Sequence, residues 1–196
     1  GEPRTGLVLG YQVGISTVRA AEQAGARLVV IHGRSRACKF AGAVRFAAVA
    51  EATRDLSIPV LANGDIGDLQ SATSALQRSG GDGVMIGRGA IGQPWIFQVL
   101  AGGNAPTLAQ RLNIMGEHLD HMHRFYGLQQ GMRIARKHIQ AYLQRLNAAA
   151  LIPDFMRLDT AFAQVTWLSA LTEATILDQQ RRIEPKPTLA VNSHSC

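Results

Sequence analysis

Three short polar segments of the sequence have residue types that could bind an anionic ligand, and each follows an apolar run. The first contains His32, Gly33, Arg34, Ser35 and Arg36, the second Asn63, Gly64 and Asp65, and the third Gly87, Arg88 and Gly89. Glycine lets backbone N–H groups approach a ligand closely, and an arginine guanidinium matches the oxygens of a phosphate. The third segment taken alone is as typical of a surface turn as of a phosphate site.

The elements around these segments predict that they lie together. Apolar runs at residues 28–33, 58–65 and 83–89 are typical of strands, and helices are predicted at 16–24, 43–54 and 69–78. Strands that alternate with helices indicate a parallel sheet, whose carboxyl ends gather functional residues. Loops after the last two strands of a (β/α)8 barrel commonly form a phosphate site, which favours a ligand at Gly87 and Arg88.

Composition narrows the class of protein. The 196 residues are 46% hydrophobic, enough for a sizeable core and for one or two domains. We expect a cytoplasmic protein without a membrane segment, because no apolar run approaches the roughly 20 residues that span a bilayer. Two distant cysteines do not support a disulfide framework. A net charge of +6 favours an anionic partner.

The pattern changes near residue 101. After "AGGNAPT" the sequence predicts helices at 108–126, 132–147 and 155–181, followed by a disordered tail at 183–196. We therefore predict an α/β domain at 1–100 and an all-helical domain at 107–182. In the second helix an apolar stripe lies opposite Arg133, Arg136 and Lys137, a pattern typical of an ordinary amphipathic helix with a solvated face.

Four segments resemble one family. "IHGRSRACKFAG", "IPVLANGDI", "GVMIGRGAIGQPWIF" and "GMRIARKHIQAYL" are similar, in order, to signatures of the bacterial tRNA-dihydrouridine synthases, nearest to the DusB-like subgroup. The resemblance implies an FMN-dependent (β/α)8 barrel followed by a helical domain that binds tRNA. It also implies that NADPH reduces the flavin, which then passes hydride to the C5=C6 bond of a uridine in tRNA.

The resemblance also assigns residues. Asn63, Gly64 and Asp65 match the family's "NGD", and Gly87 and Arg88 match its "GR", both of which contact FMN there. His32, in the family's "HGR", is expected to face the flavin. The RNA-binding residues that we expect are Arg34, Arg36, Arg133, Arg136 and Lys137. No metal site is expected, since Glu117, His118 and His121 are more typical of a solvated helix face.

The family plan further implies that the chain is the C-terminal half of the barrel, from the end of strand five to strand eight, with the helical domain. The family's proton donor is a cysteine after strand four, so we expect it upstream of Gly1 and expect this piece alone to be inactive. Cys38, a lone cysteine inside the subgroup's "RAC", is not expected to replace it. Glu2 stands where the family has a flavin-contacting lysine.

The sequence leaves two other functions open. Another FMN-dependent barrel oxidoreductase, such as a dihydroorotate dehydrogenase-like enzyme, would share the phosphate-binding loops but not "RIARKH". A non-catalytic tRNA-binding module would use only the helical part. The sequence leaves the oligomeric state and the identity of the modified uridine undetermined.

Overall fold

A computed structural model describes residues 7–10, 15–34 and 43–183 of the chain. The chain divides into two compact units, Gly1–Ala105 and Pro106–Cys196. Among the helices of the described ranges, none is both long and apolar enough to cross a bilayer.

The first unit contains a parallel sheet with helices between its strands. Its elements in chain order are β1 (Leu7–Gly10), α1 (Ile15–Gln23), β2 (Val29–His32), α2 (Phe46–Asp55), β3 (Val60–Asn63), α3 (Leu69–Ser79), β4 (Gly83–Met85) and α4 (Ile96–Leu100). The sheet order is β1-β2-β3-β4, and all three pairings are parallel. The predicted α/β class is therefore confirmed. Within the described residues β1 and β4 are the edges of the sheet, and closure into a barrel stays a prediction.

One apolar core joins this sheet to its helices. Val29, Val60 and Ala62 are at most 1% exposed, which suits short strands that are covered by helices. From α2 the core receives Phe46, Val49 and Ala52, at three-residue steps that place them on one face. Because this core fixes the strands, it also fixes the residues that follow them.

Capping residues set the ends of α3. The Asp68 side chain accepts a hydrogen bond from the backbone N–H of Ser71 (2.7 Å). The Ser71 hydroxyl in turn accepts a hydrogen bond from the backbone N–H of Asp68 (3.1 Å), which completes a capping box. The helix ends at Ser79 and is capped by Gly80, whose φ of 58° lies in the left-handed region that favours glycine. The cap at Asp68 also anchors the loop that follows β3.

The second unit is helical over its described part. It comprises α5 (Leu108–Tyr126), α6 (Leu128–Arg145), α7 (Ile152–Arg157) and α8 (Ala161–Ile183), with a short 3-10 turn at Ala149–Leu151. Its core includes Leu112, Met115, Leu119, Met122, Ala135, Ile139, Tyr142, Leu143, Phe155 and Leu168. The single helix predicted at 155–181 is wrong, because α7 ends at Arg157 and a new helix begins at Ala161. The Thr160 hydroxyl caps the new helix by accepting a hydrogen bond from the backbone N–H of Ala163 (3.0 Å).

Helices α5 and α6 approach each other closely at Gly131. A Cβ added there would lie 2.6 Å from the backbone oxygen of Met122, so only glycine fits.

A buried polar side chain connects three helices of this unit. Gln164 shares a hydrogen bond with His123 (2.9 Å) and donates another to the Met132 oxygen (3.2 Å). These polar contacts connect α5, α6 and α8 inside the unit.

Candidate functional site

The strand register brings two of the expected site residues side by side. His32 ends β2 and pairs with Asn63, which ends β3, while Asn63 in turn pairs with Met85 at the end of β4. Because the strands are parallel, their carboxyl ends meet at one edge of the sheet. The predicted segments after β2, β3 and β4 therefore start at neighbouring positions.

His32 is half-buried and oriented by its own loop. Its Nδ1 accepts a hydrogen bond from the backbone N–H of Arg34 (3.1 Å), which places the ring proton of the neutral imidazole on Nε2. Partial burial lowers the pKa of His32 below 6.5, and the nearby Arg34 lowers it further. At neutral pH His32 is thus an uncharged hydrogen-bond donor through Nε2.

Asn63 is fixed through its amide nitrogen. This nitrogen donates to the backbone oxygen of Met85 (2.7 Å) and contacts the Met85 sulfur (3.2 Å). The contacts assign the amide orientation, which leaves the Asn63 oxygen as the acceptor for another group. Met85 was not expected at the site, and its type gave no signal of this role.

The turn after Asn63 has an unusual backbone. Gly64 has φ 134° and Asp65 has φ 49°, both in the positive region that few residue types adopt. A Cβ on Gly64 would also lie 2.9 Å from a methyl of Val44. Glycine at position 64 is therefore required by conformation and by space, and aspartate is among the non-glycine types that tolerate the left-handed region at 65.

Asp65 connects two arginines. Its carboxylate forms a bidentate pair with Arg34, with one contact of 2.8 Å from Nη1 to Oδ1 and a second from Nη2 to Oδ2. The Arg88 guanidinium lies 3.6 Å from Oδ1. The hydrogen bond from Arg34 is the main cause that lowers the pKa of Asp65, so its carboxylate is charged at neutral pH.

The two arginines differ in exposure. The Arg34 side chain is 6% exposed and the Arg88 side chain is 62% exposed. Arg34 was expected to contact RNA, but its burial against Asp65 favours a role in holding the loops after β2 and β3 together. Arg88 instead leaves most of its side chain exposed at the sheet edge, where an anion could approach.

The glycines around Arg88 have different surroundings. A Cβ added at Gly87 would meet no atom of the described residues within 4 Å, so these residues leave open space beside this backbone. A Cβ added at Gly89 would collide with the backbone oxygen of Ile66, so here the chain lies directly against the loop after β3. The segment thus combines an open side, suited to a phosphate group, with a closely packed side.

The expected RNA-binding residues on α6 separate into two kinds. Arg133 and Lys137 are exposed and one helical turn apart. Arg136 is partly buried and donates to the backbone oxygen of Leu158 (2.9 Å), while its Nε has no hydrogen-bond partner among the described residues. The basic face is therefore narrower than the sequence predicts. Arg36 and Cys38 lie outside the described residues.

Histidines on α5 and α6 form a further cluster. The rings of His118 and His138 are 5.1 Å apart, and His118 Nδ1 lies 3.1 Å from the Tyr142 hydroxyl. Burial lowers the pKa of both histidines and raises that of Tyr142 to about 12. In the described part of the chain no three His, Cys, Asp or Glu side chains are arranged to hold a metal ion.

Comparisons with known proteins agree with these motifs. The profile of the dihydrouridine synthase (Dus) family matches residues 4–176. The chain is 32% identical over 177 residues to the tRNA-dihydrouridine synthase B of Pasteurella multocida, covering 86% of this chain and 53% of that protein. It is 41% identical over 153 residues to the protein of the same name from Pseudomonas syringae pv. tomato, covering 74% and 45%.

A third relative, the tRNA-dihydrouridine synthase B of Shewanella oneidensis, is 38% identical over 168 residues, covering 82% of this chain and 52% of its own. The chain thus spans about half the length of these curated relatives. The family profile covers both the sheet-edge residues and helix α6. The chain therefore belongs to the dihydrouridine synthase family, among its bacterial synthase B members.

Proposed function

We propose that this chain is part of an FMN-dependent enzyme that reduces uridine to 5,6-dihydrouridine in tRNA, with NADPH as reductant. The observation that carries the proposal is that His32, Asn63, Asp65 and Arg88 meet at the carboxyl edge of the sheet in a member of this family. Relatives of the same family carry the name tRNA-dihydrouridine synthase, which supports tRNA as the substrate.

The residues present fit a flavin phosphate. Exposed Arg88 offers a guanidinium, and the open space beside Gly87 lets a phosphate reach the backbone. Asp65 carries one negative charge and interacts with both Arg34 and Arg88, so the three groups together keep a net positive charge that can attract a phosphate. Arg88, Gly87 and the turn at Gly64 and Asp65 would hold the cofactor on one side.

The remaining site residues would orient the ring system and the substrate. Neutral His32 can donate from Nε2, and the Asn63 oxygen can accept from a ring N–H. Bound FMN would supply hydride transfer to the C5=C6 bond of uridine after its reduction by NADPH. The proton for the opposite face of that bond would come from a cysteine in the part of the protein that precedes Gly1.

The helical unit is proposed to bind tRNA. Exposed Arg133 and Lys137 on α6 can each neutralise a phosphate, while Arg136 fixes the segment at Leu158. A base acted on by an enzyme of this type must leave its stack, and contacts to the surrounding phosphates fix the RNA for that step. We further propose that the sheet belongs to a (β/α)8 barrel that the remainder of the protein completes.

The test uses the protein that includes the residues preceding Gly1. It should purify with FMN, and it should convert uridine to dihydrouridine in unmodified tRNA with consumption of NADPH, measured by mass spectrometry of the digested RNA. Oxidation of dihydroorotate with no effect on tRNA would favour the dihydroorotate dehydrogenase-like alternative. Binding of tRNA with no flavin and no reduction would favour the non-catalytic module.

A further inference from the structure

One side chain joins the two loops that surround the proposed phosphate site. The amide nitrogen of Gln93 donates to the backbone oxygen of Gly67, in the loop after β3, and to that of Gly89, after β4. Both distances are 2.7 Å, within the range of good hydrogen bonds. Since the amide group has two N–H bonds, each carbonyl can receive its own donor.

The surroundings make this bridge specific. Gln93 is partly buried, and turning its amide over would place an oxygen against two carbonyl oxygens, so the nitrogen must face them. Gln93 is also held by its backbone, whose N–H donates to the Ala90 oxygen (3.1 Å) and whose oxygen accepts from Ile96 (3.0 Å). The side chain is thus presented from a fixed position next to the start of α4.

Each of the two bonded glycines has a further contact. The N–H of Gly67 donates to the Ser71 hydroxyl (3.1 Å), which ties this loop to the capping box of α3. Gly89 follows Arg88 directly and lies against Ile66. Gln93 adds a bond to each loop beside these contacts, so its loss should loosen the place between Gly67 and Gly89 where the two loops meet.

We infer that Gln93 is a positioning residue that locks the loops after β3 and β4 in the arrangement that binds the phosphate of FMN. The inference rests on the proposed flavin binding for its functional part and on the two amide bonds for its structural part. Gln93 acts through Gly67 and Gly89, and it thereby fixes the distance between Asp65 and Arg88. Nothing in the residue type alone, a glutamine before proline, indicates this role.

The first experiment measures loop opening without any cofactor. Gln93→Met keeps the volume of the side chain but removes both donors, and hydrogen exchange is followed in the peptides that cover residues 64–68 and 87–91. We expect exchange in both loops to be about tenfold faster, because two hydrogen bonds near the lower end of their usual net contribution are lost. Gln93→Lys, which restores N–H donors, should return the rates toward those of the wild type.

The matched control is Gln77→Met, an identical change at an exposed position of α3, which should leave both loops unaltered. Unchanged exchange in the loops of Gln93→Met would overturn the inference. Faster exchange throughout the unit, including β3, would overturn it too, because the side chain would then support the fold in general rather than these loops.

The second experiment compares FMN with riboflavin, which lacks the phosphate, by fluorescence titration. Gln93→Met should weaken FMN binding about tenfold and leave riboflavin binding within twofold of wild type. Equal loss of both ligands would contradict a role at the phosphate. Failure of the wild-type protein to bind FMN would instead refute the proposed function, and hydrogen exchange would still decide whether Gln93 joins the loops.

Discussion

Replacement of Arg88 by alanine separates a ligand-binding arginine from a structural one. The Arg88 side chain is 62% exposed, and its closest approach to Asp65 is 3.6 Å, longer than a direct hydrogen bond. Exposed ion pairs of this kind contribute about 0–1 kcal/mol to folding. Arg88→Ala should therefore change the free energy of unfolding by less than about 1 kcal/mol.

Binding of the cofactor should respond much more strongly. A hydrogen bond between a guanidinium and a phosphate contributes about 1.5–3 kcal/mol, because both groups are charged. This loss corresponds to a dissociation constant for FMN that is about 10–150 times larger. Riboflavin has no phosphate, so its affinity should be nearly the same for Arg88→Ala and wild type.

The assay is a fluorescence titration of both ligands, with urea unfolding of the same samples. Arg54→Ala provides a control, because Arg54 is exposed in the last turn of α2, whose carboxyl end lies away from the carboxyl ends of the strands. An Arg88→Ala protein that keeps wild-type affinity for FMN would refute the assignment. Equal weakening of FMN and riboflavin would mean that the substitution disturbs the site as a whole.

Three further predictions concern the helical unit. Gly131→Ala should lower the free energy of unfolding, measured in urea, by about 1–3 kcal/mol, because the added methyl would lie 2.6 Å from the Met122 oxygen. Gly116→Ala should be tolerated, because the nearest described atom that the added methyl would meet is 4.0 Å away. The free energy of unfolding of this unit should fall as the pH drops below about 6.5. The pKa values of His118 and His138 are lower in the folded chain than in the unfolded chain, so the unfolded chain binds protons first and is favoured at low pH. His138→Gln should reduce the difference between the urea unfolding midpoints measured at pH 7.5 and at pH 5.5. An unchanged difference would exclude His138 as its source. Finally, Arg133→Glu with Lys137→Glu should weaken tRNA binding and reduce the slope of log affinity against log salt by about 0.7–0.9 per lost phosphate contact, with FMN affinity unchanged. The same affinity and slope as wild type would place the RNA elsewhere.

Local signals predict much of the fold. The helix predicted at 108–126 coincides with α5, because Thr107 and Gln110 form a capping box and Gly127 follows the last residue. Helix α6, however, begins at Leu128 rather than at residue 132. Gly131 argues locally against an earlier start, but its close packing on α5 compensates for the low helix propensity of glycine.

Long-range contacts explain where the prediction of α2 is wrong. The sequence predicts a helix from residue 43, yet α2 starts at Phe46. The N–H of Arg45 donates to the Gly33 oxygen (2.7 Å), and a Cβ at Gly33 would lie 2.5 Å from a methyl of Val44. Residues 44 and 45 are therefore fixed by the loop after β2, a constraint that a pattern within one helix cannot reveal.

The sequence likewise cannot distinguish the roles of the two arginines at the site. Arg34 and Arg88 are equally plausible anion-binding residues by type, since both follow an apolar run and lie beside glycine. What distinguishes them is Asp65, which is 31 positions from Arg34 and neutralises it in a bidentate pair. The turn at Gly64 directs Asp65 to that partner, and Gln93 joins the same loop to the one that carries Arg88. Two arginines share one carboxylate at the sheet edge, so the three groups keep a net positive charge, and exposed Arg88 is the arginine that a ligand can reach.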